Sequence, residues 1–136
     1  MAELTIEAKT ENLDKVLAFV DELLERTDCP MRTQMQIEVA VEEIFTNIAS
    51  YAYAPGTGTA TIRAELREEP PAVTLTFFDC GMAYDPLTRE DPDVTLAAED
   101  RPVGGLGVFM VKKTMDEVRY EYRDGQNILT MEKRLR

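Results

Sequence analysis

The segment Ile37-Glu38-Val39-Ala40-Val41-Glu42-Glu43-Ile44-Phe45-Thr46-Asn47-Ile48-Ala49 is almost continuously apolar, yet it carries Glu43 and Asn47 one helical turn apart. A helix of this composition must be covered over much of its surface. Residues four apart share a face and can meet a common ligand. Burying a polar pair there is costly unless something satisfies it. The pair is therefore either capped internally or built for a ligand. A carboxylate beside an amide oxygen offers two hard oxygen donors, the kind magnesium takes together with phosphate.

The remaining periodicities place this helix in a layered fold. Leu4, Ile6 and Ala8 alternate with polar residues, which predicts an opening strand. Thr10 is positioned to cap a first helix over 11–26, with Leu13, Val16, Leu17, Val20, Leu23 and Leu24 as its apolar stripe. Asp28-Cys29-Pro30 breaks it, and the second helix is predicted over 32–53. Ala60, Ile62, Ala64 and Leu66 form a strand, and Val73, Leu75 and Phe77 form its return, ending at Asp79. The stretch 80–103 has little periodicity, and a loop of that length usually serves as a lid or a binding loop. A third helix is predicted from Val108 to Met115, and two strands flank the Asp124-Gly125 turn. The order β-α-α-β-β-loop-α-β-β lacks repeated βαβ crossovers. It predicts an α/β two-layer sandwich, with helices on one face of a mixed or antiparallel sheet. No repeat or linker interrupts residues 1–136, so one domain is expected.

Composition excludes several function classes. The net charge of −11 argues against nucleic acid and against anionic membrane surfaces. A polyanionic ligand would have to be held by local devices such as a metal, backbone amides or a helix N-terminus. The absence of histidine removes histidine-based zinc sites and Ser-His-Asp triads. Cys29 and Cys80 form no CxxC pair and are expected to be small buried hydrophobes. The start Met1-Ala2-Glu3-Leu4 has no basic leader, and no apolar run reaches membrane-span length, which favours the cytoplasm.

Two further segments carry features that core packing does not require. In Phe77-Phe78-Asp79-Cys80-Gly81 a carboxylate ends an apolar strand and a glycine follows. Asp79 could accept a hydrogen bond from a ligand amino group, with Gly81 allowing close approach. An Asp-x-Gly turn leaving a strand reads equally well. Gly104-Gly105-Leu106-Gly107 precedes an apolar helix, where glycines expose backbone amides to phosphate. It matches neither the P-loop nor GxGxxG after a strand.

The order and separation of these three segments resemble the N, G1 and G2 boxes of the GHKL ATPase superfamily. The resemblance is closest to its small single-domain branch, the bacterial anti-sigma factor serine/threonine kinases. It extends through Tyr84-Asp85-Pro86 and Met115-Asp116-Glu117-Val118 and covers nearly the whole chain. It implies the GHKL ATPase fold, with ATP and Mg2+ bound. Asn47 would ligate the metal, and Glu43 would be the general base on the attacking hydroxyl. Asp79 would read the adenine amino group, and Gly81 would make room for the base. Gly105 and Gly107 would sit against the phosphates, with 86–103 as the ATP lid. The family often places a threonine near the adenine on the last strand, and Thr130 is the only threonine there.

The resemblance further implies an ATP-binding anti-sigma regulatory factor. It would phosphorylate a serine or threonine on a STAS-type antagonist, bind a sigma factor, and form a homodimer. Two positions depart from the pattern. Ala83 stands where a second G1 glycine is usual, and there a positive φ would be costly. Leu106 stands where a basic residue is common. Charge on the terminal phosphate would then come from Arg101, Arg89 or Lys112, or be missing. These departures motivate a second reading, a nucleotide-gated protein-binding module without kinase activity.

Overall fold

The computed structural model describes residues 1–88 and 106–135. The elements run β1 (Ala2–Glu7), α1 (Leu13–Leu24), α2 (Met31–Asn47), β2 (Thr59–Glu68), β3 (Pro71–Asp79), α3 (Leu106–Thr114), β4 (Glu117–Arg123) and β5 (Gln126–Arg134). The five strands form one sheet in the order β1-β2-β3-β5-β4, and every pairing is antiparallel. The expected choice between mixed and antiparallel thus resolves to antiparallel. Asp124 and Gly125 both take positive φ at the turn joining β4 to β5. That backbone is the one a tight hairpin needs.

Strand alternation decides which face is covered. Leu4, Ile6, Ile62, Ala64, Leu75, Phe77, Leu129 and Met131 point to one side, where they join Val16, Val20 and Leu24 of α1 and Ile37, Val41, Ile44 and Phe45 of α2. Val111 and the following Met115 complete the core from the α3 side. The alternate set, including Thr61, Arg63, Thr74 and Thr76, lies outside this core. There the Arg63 guanidinium covers the Phe78 ring at 4.7 Å. The helices therefore occupy one face of the sheet.

Two local expectations are corrected. Thr10 does not cap α1 with its side chain. Residues Thr10–Asn12 form a 3-10 turn, and the Asn12 amide donates to the Glu7 carbonyl at 2.9 Å instead. The second helix does continue beyond Asn47, but Ile48–Ala52 is a π-helical turn. Such widened turns cluster at functional sites because they re-aim side chains and free carbonyls. Here the Ala52 carbonyl, at the end of the turn, accepts the Met82 amide at 2.9 Å.

Candidate functional site

β3 and β5 run side by side, and their final register pair is Asp79 opposite Asn127. Asp79 continues the inward set of Leu75 and Phe77, and Asn127 that of Leu129 and Met131. Period-two alternation therefore delivers two polar groups to the helix side of the sheet. Both are buried, at 5% and 7% exposure. A buried carboxylate and amide must be hydrogen-bonded to be tolerated. The Asn127 amide donates to Asp79 Oδ1 and to the Met82 carbonyl, each at 2.9 Å. Its Oδ1 accepts the Tyr84 amide at 3.1 Å and the Tyr120 hydroxyl. Asp79 Oδ1 also accepts the Gly81 amide at 2.9 Å. The Asp-x-Gly turn is thus present, and it fixes one carboxylate oxygen. Among the described residues no donor reaches the other, Oδ2.

Asp79 lines a cavity of about 330 Å³ between the sheet and the C-terminal end of α2. Ile44, Ile48, Phe77 and Leu129 give it apolar walls. Asn47, Asp79 and Asn127 are the polar groups that converge on it, with Tyr51, Tyr84 and Tyr120 around them. A largely apolar pocket with few placed polar groups is the usual form of a small-ligand site.

Asn47 and Glu43 occupy one face of α2. The Asn47 amide donates to Glu43 Oε1 at 3.3 Å, beyond the usual span for such a bond. The pair is therefore both internally paired and open to a ligand, since no described residue donates to the Asn47 carbonyl oxygen. Glu43 itself stands just beyond the cavity lining, against the first turn of α3. A Cβ built on Gly107 would lie 2.0 Å from Glu43 Oε2, so any larger residue there would displace that carboxylate. Gly81 has a different neighbour. Its Cβ would lie 2.2 Å from the Ala52 carbonyl oxygen, so its packing lets the end of β3 meet the π-helical turn.

A second hub lies next in sequence to the lining residues Ala52 and Asp79. The Tyr53 hydroxyl donates to the Thr59 carbonyl at 2.6 Å and accepts the Cys80 amide at 2.8 Å. Burial raises the Tyr53 phenol above its ordinary value, the Cys80 amide lowers it in part, and the nearby Asp79 and Cys80 raise it further. Burial likewise raises the Tyr120 phenol, against the Tyr84 amide. Both tyrosines stay neutral donors at physiological pH.

Several expected residues are placed elsewhere. Thr130 pairs with Thr76 on the outward set of β5, because one step along a strand reverses the face. It does not line the cavity; Asn127 and Leu129 are the β5 residues that do. Ala83 adopts no positive φ, so alanine there carries no strain. Gly105, Arg89 and Arg101 lie outside the described residues. Lys112 is half-buried on α3 and is not part of the lining. Cys29 is packed beside the core, where burial pushes its thiol up, whereas Cys80 is exposed rather than buried, and both are free.

Sequence reasoning did not find Asn127, Tyr53 or Tyr120. Asn127 carried a signal, namely an amide in the inward register of Leu129 and Met131. No helix among the described residues is long and apolar enough to cross a membrane.

Comparison with known proteins extends this geometry. The model of the histidine kinase-like ATPase domain matches residues 6–133. The serine/threonine-protein kinase BtrW of Bordetella bronchiseptica is 30% identical over 129 residues, covering 95% of this chain and 89% of the relative. The serine-protein kinase RsbW of Halalkalibacterium halodurans is 30% identical over 135 residues, covering 96% and 81%. A histidine kinase domain from a blue-light activated histidine kinase of Erythrobacter litoralis superposes with a TM-score of 0.54 at 15% identity. That match covers 93% of this chain and 60% of the other, and it bears on the fold alone.

Proposed function

The chain belongs to the histidine kinase-like ATPase domain family, and from that premise we propose that it is an ATP-dependent serine/threonine protein kinase. Its acceptor is a STAS-type anti-sigma-factor antagonist, and it also binds a sigma factor. The observation that carries the reading is the convergence of Asn47 and Asp79 on one cavity, with Glu43 one turn from Asn47 against α3. The names of the 30%-identical relatives support the reaction class.

Each residue has a role its surroundings suit. Asp79 Oδ2 accepts a hydrogen bond from the adenine amino group, while Asn127 and the Gly81 amide hold Oδ1. Apolar walls cover the faces of the base. The Asn47 carbonyl oxygen would hold magnesium. The donor set fits that ion, because magnesium beside a nucleotide takes one or two protein oxygens and fills the rest with phosphate and water. Among the described residues no group of three or more His, Cys, Asp and Glu forms a dedicated cage. The metal would neutralise phosphate charge.

Glu43 takes the proton of the acceptor hydroxyl as that oxygen attacks the terminal phosphorus. The bond from phosphorus to the bridging oxygen breaks, and ADP leaves with the electron pair. Phosphoryl transfer asks a protein for positioning and charge compensation more than for covalent chemistry. A carboxylate beside the first turn of α3 is placed for that proton transfer. The unstrained Ala83 removes one of the two motives for a module without catalysis.

The test is transfer of labelled phosphate from Mg-ATP to the purified STAS-type antagonist of the same organism. Wild type labels the antagonist, and Glu43→Gln slows transfer by about 10² to 10⁴-fold with ATP affinity nearly unchanged. Transfer that proceeds equally well in Glu43→Gln would refute the assignment.

A further inference from the structure

On α2, Met31, Met35 and Val39 succeed one another at four-residue spacing and are 79%, 58% and 53% exposed. The opposite side of the same helix buries Ile37, Val41, Ile44 and Phe45. With Met110 and Thr114 of α3 the stripe walls a groove of about 500 Å³, nearly all of it apolar. A contiguous exposed apolar surface marks an interaction site, and methionine adapts its shape to a partner. Continued by the same spacing, the stripe ends at Glu43. At 1.5 Å per residue, the distance from Met31 to Glu43 is about 18 Å, or roughly three turns of an occupying helix.

We propose that this α2–α3 groove binds an amphipathic helix of the phosphoacceptor protein, with the helix N-terminus at Glu43. The inference rests on the kinase reading and adds where the acceptor docks. Two helical walls with a largely apolar lining suit a third helix rather than a strand, which would need an open sheet edge. The charges at the groove's ends set its direction. Arg32 lines one end, and Glu43, four residues beyond Val39 on α2 and against Gly107 of α3, lies past the other. A helix with its positive N-terminus at Glu43 and its negative C-terminus near Arg32 is matched at both ends. Serine and threonine are favoured at helix N-termini, so this orientation brings a hydroxyl to the base. A second copy of the chain in the groove would instead block Glu43 from its substrate.

The experiment uses the full chain, Mg-ATP and the purified STAS-type antagonist, with the double variant Met35→Glu/Val39→Glu and the conservative Met35→Leu. The double variant raises KM for the antagonist at least about tenfold, while Mg-ATP affinity and kcat at saturating antagonist stay within about twofold. Met35→Leu behaves as wild type. An unchanged KM in the double variant overturns the groove, as does a joint fall in ATP affinity and melting temperature. So does sedimentation showing that the double variant turns a wild-type dimer into a monomer. If wild type transfers no phosphate, the kinase reading fails separately. Calorimetry of the antagonist with the Mg-ADP form then decides the groove: binding lost in the double variant sustains it, and binding retained or absent in wild type overturns it.

Discussion

The two ends of the pocket are built on opposite plans. At the end formed by β3 and β5, Asp79 and Asn127 are buried and interlocked, and four further groups, Gly81, Met82, Tyr84 and Tyr120, are tied to them. At the end formed by α2 and α3, Glu43 and Asn47 are half-exposed and share one long hydrogen bond. The contrast extends to the glycines. Gly81 is pressed against a backbone carbonyl, Gly107 against the tip of a flexible side chain. The sheet end is preorganised by folding alone. The helix end holds its groups loosely, by one long bond between them.

Alanine substitution at the two glycines gives the largest separation of the two ends. Gly107→Ala displaces the Glu43 carboxylate without touching backbone, so the protein folds but phosphoryl transfer falls by about two orders of magnitude or more. Gly81→Ala meets the Ala52 carbonyl and costs about 1–3 kcal/mol of stability. Paired denaturant melts and transfer assays check this. If both variants lost stability equally, the ends would not differ in the way described.

A smaller effect is expected at Asn127. Asn127→Ala leaves Asp79 Oδ1 with one donor in place of two and strands the Tyr84 amide and the Tyr120 hydroxyl. Unsatisfied buried groups cost about 1–3 kcal/mol each when water cannot replace the partner. The cavity admits water, so the loss should fall at the lower end, in stability and in ATP affinity alike. Calorimetric titration beside a melt reads both. Loss of stability with full ATP affinity would make Asn127 a fold residue only.

The smallest effect lies on α2 but away from the pocket. Burial raises the Glu38 carboxyl above its ordinary value, and the neighbouring Asp21 raises it further. A carboxyl whose folded pKa is raised holds its proton more tightly in the native chain. Its stabilising contribution is present below the unfolded value and is lost as pH rises through the folded one. Glu38→Gln therefore raises stability at pH 7 by no more than about 0.5 kcal/mol. The gain disappears below about pH 4, where wild type is also neutral. Melts across pH, with ATP affinity unchanged, make this the control for both ends.

Legibility in the sequence follows the same division. The order of elements was readable because each has a single clean period. The three segments stood out because each sets polar groups or glycines inside or at the border of an apolar run. Thr130 was misassigned because the identity of a residue in a strand does not reveal its face; one register step sends it outward and brings Asn127 inward. The π-helical turn after Asn47 was invisible, since a helical pattern does not distinguish a widened last turn. The exposed stripe of Met31, Met35 and Val39 was hidden for a related reason. An apolar helix does not announce which of its sides will be left uncovered.

Magnesium-dependent nucleotide affinity tests the division most directly. ATP is titrated into wild type and Asn47→Ala by calorimetry, with magnesium and with chelator. Wild type should bind at least about tenfold more tightly with magnesium, through the Asn47 oxygen. Asn47→Ala should lose that gain and keep the metal-free affinity set by Asp79 and the apolar walls. An undiminished magnesium effect in Asn47→Ala, or equal loss of the metal-free affinity, would contradict a pocket built from one fixed end and one waiting end.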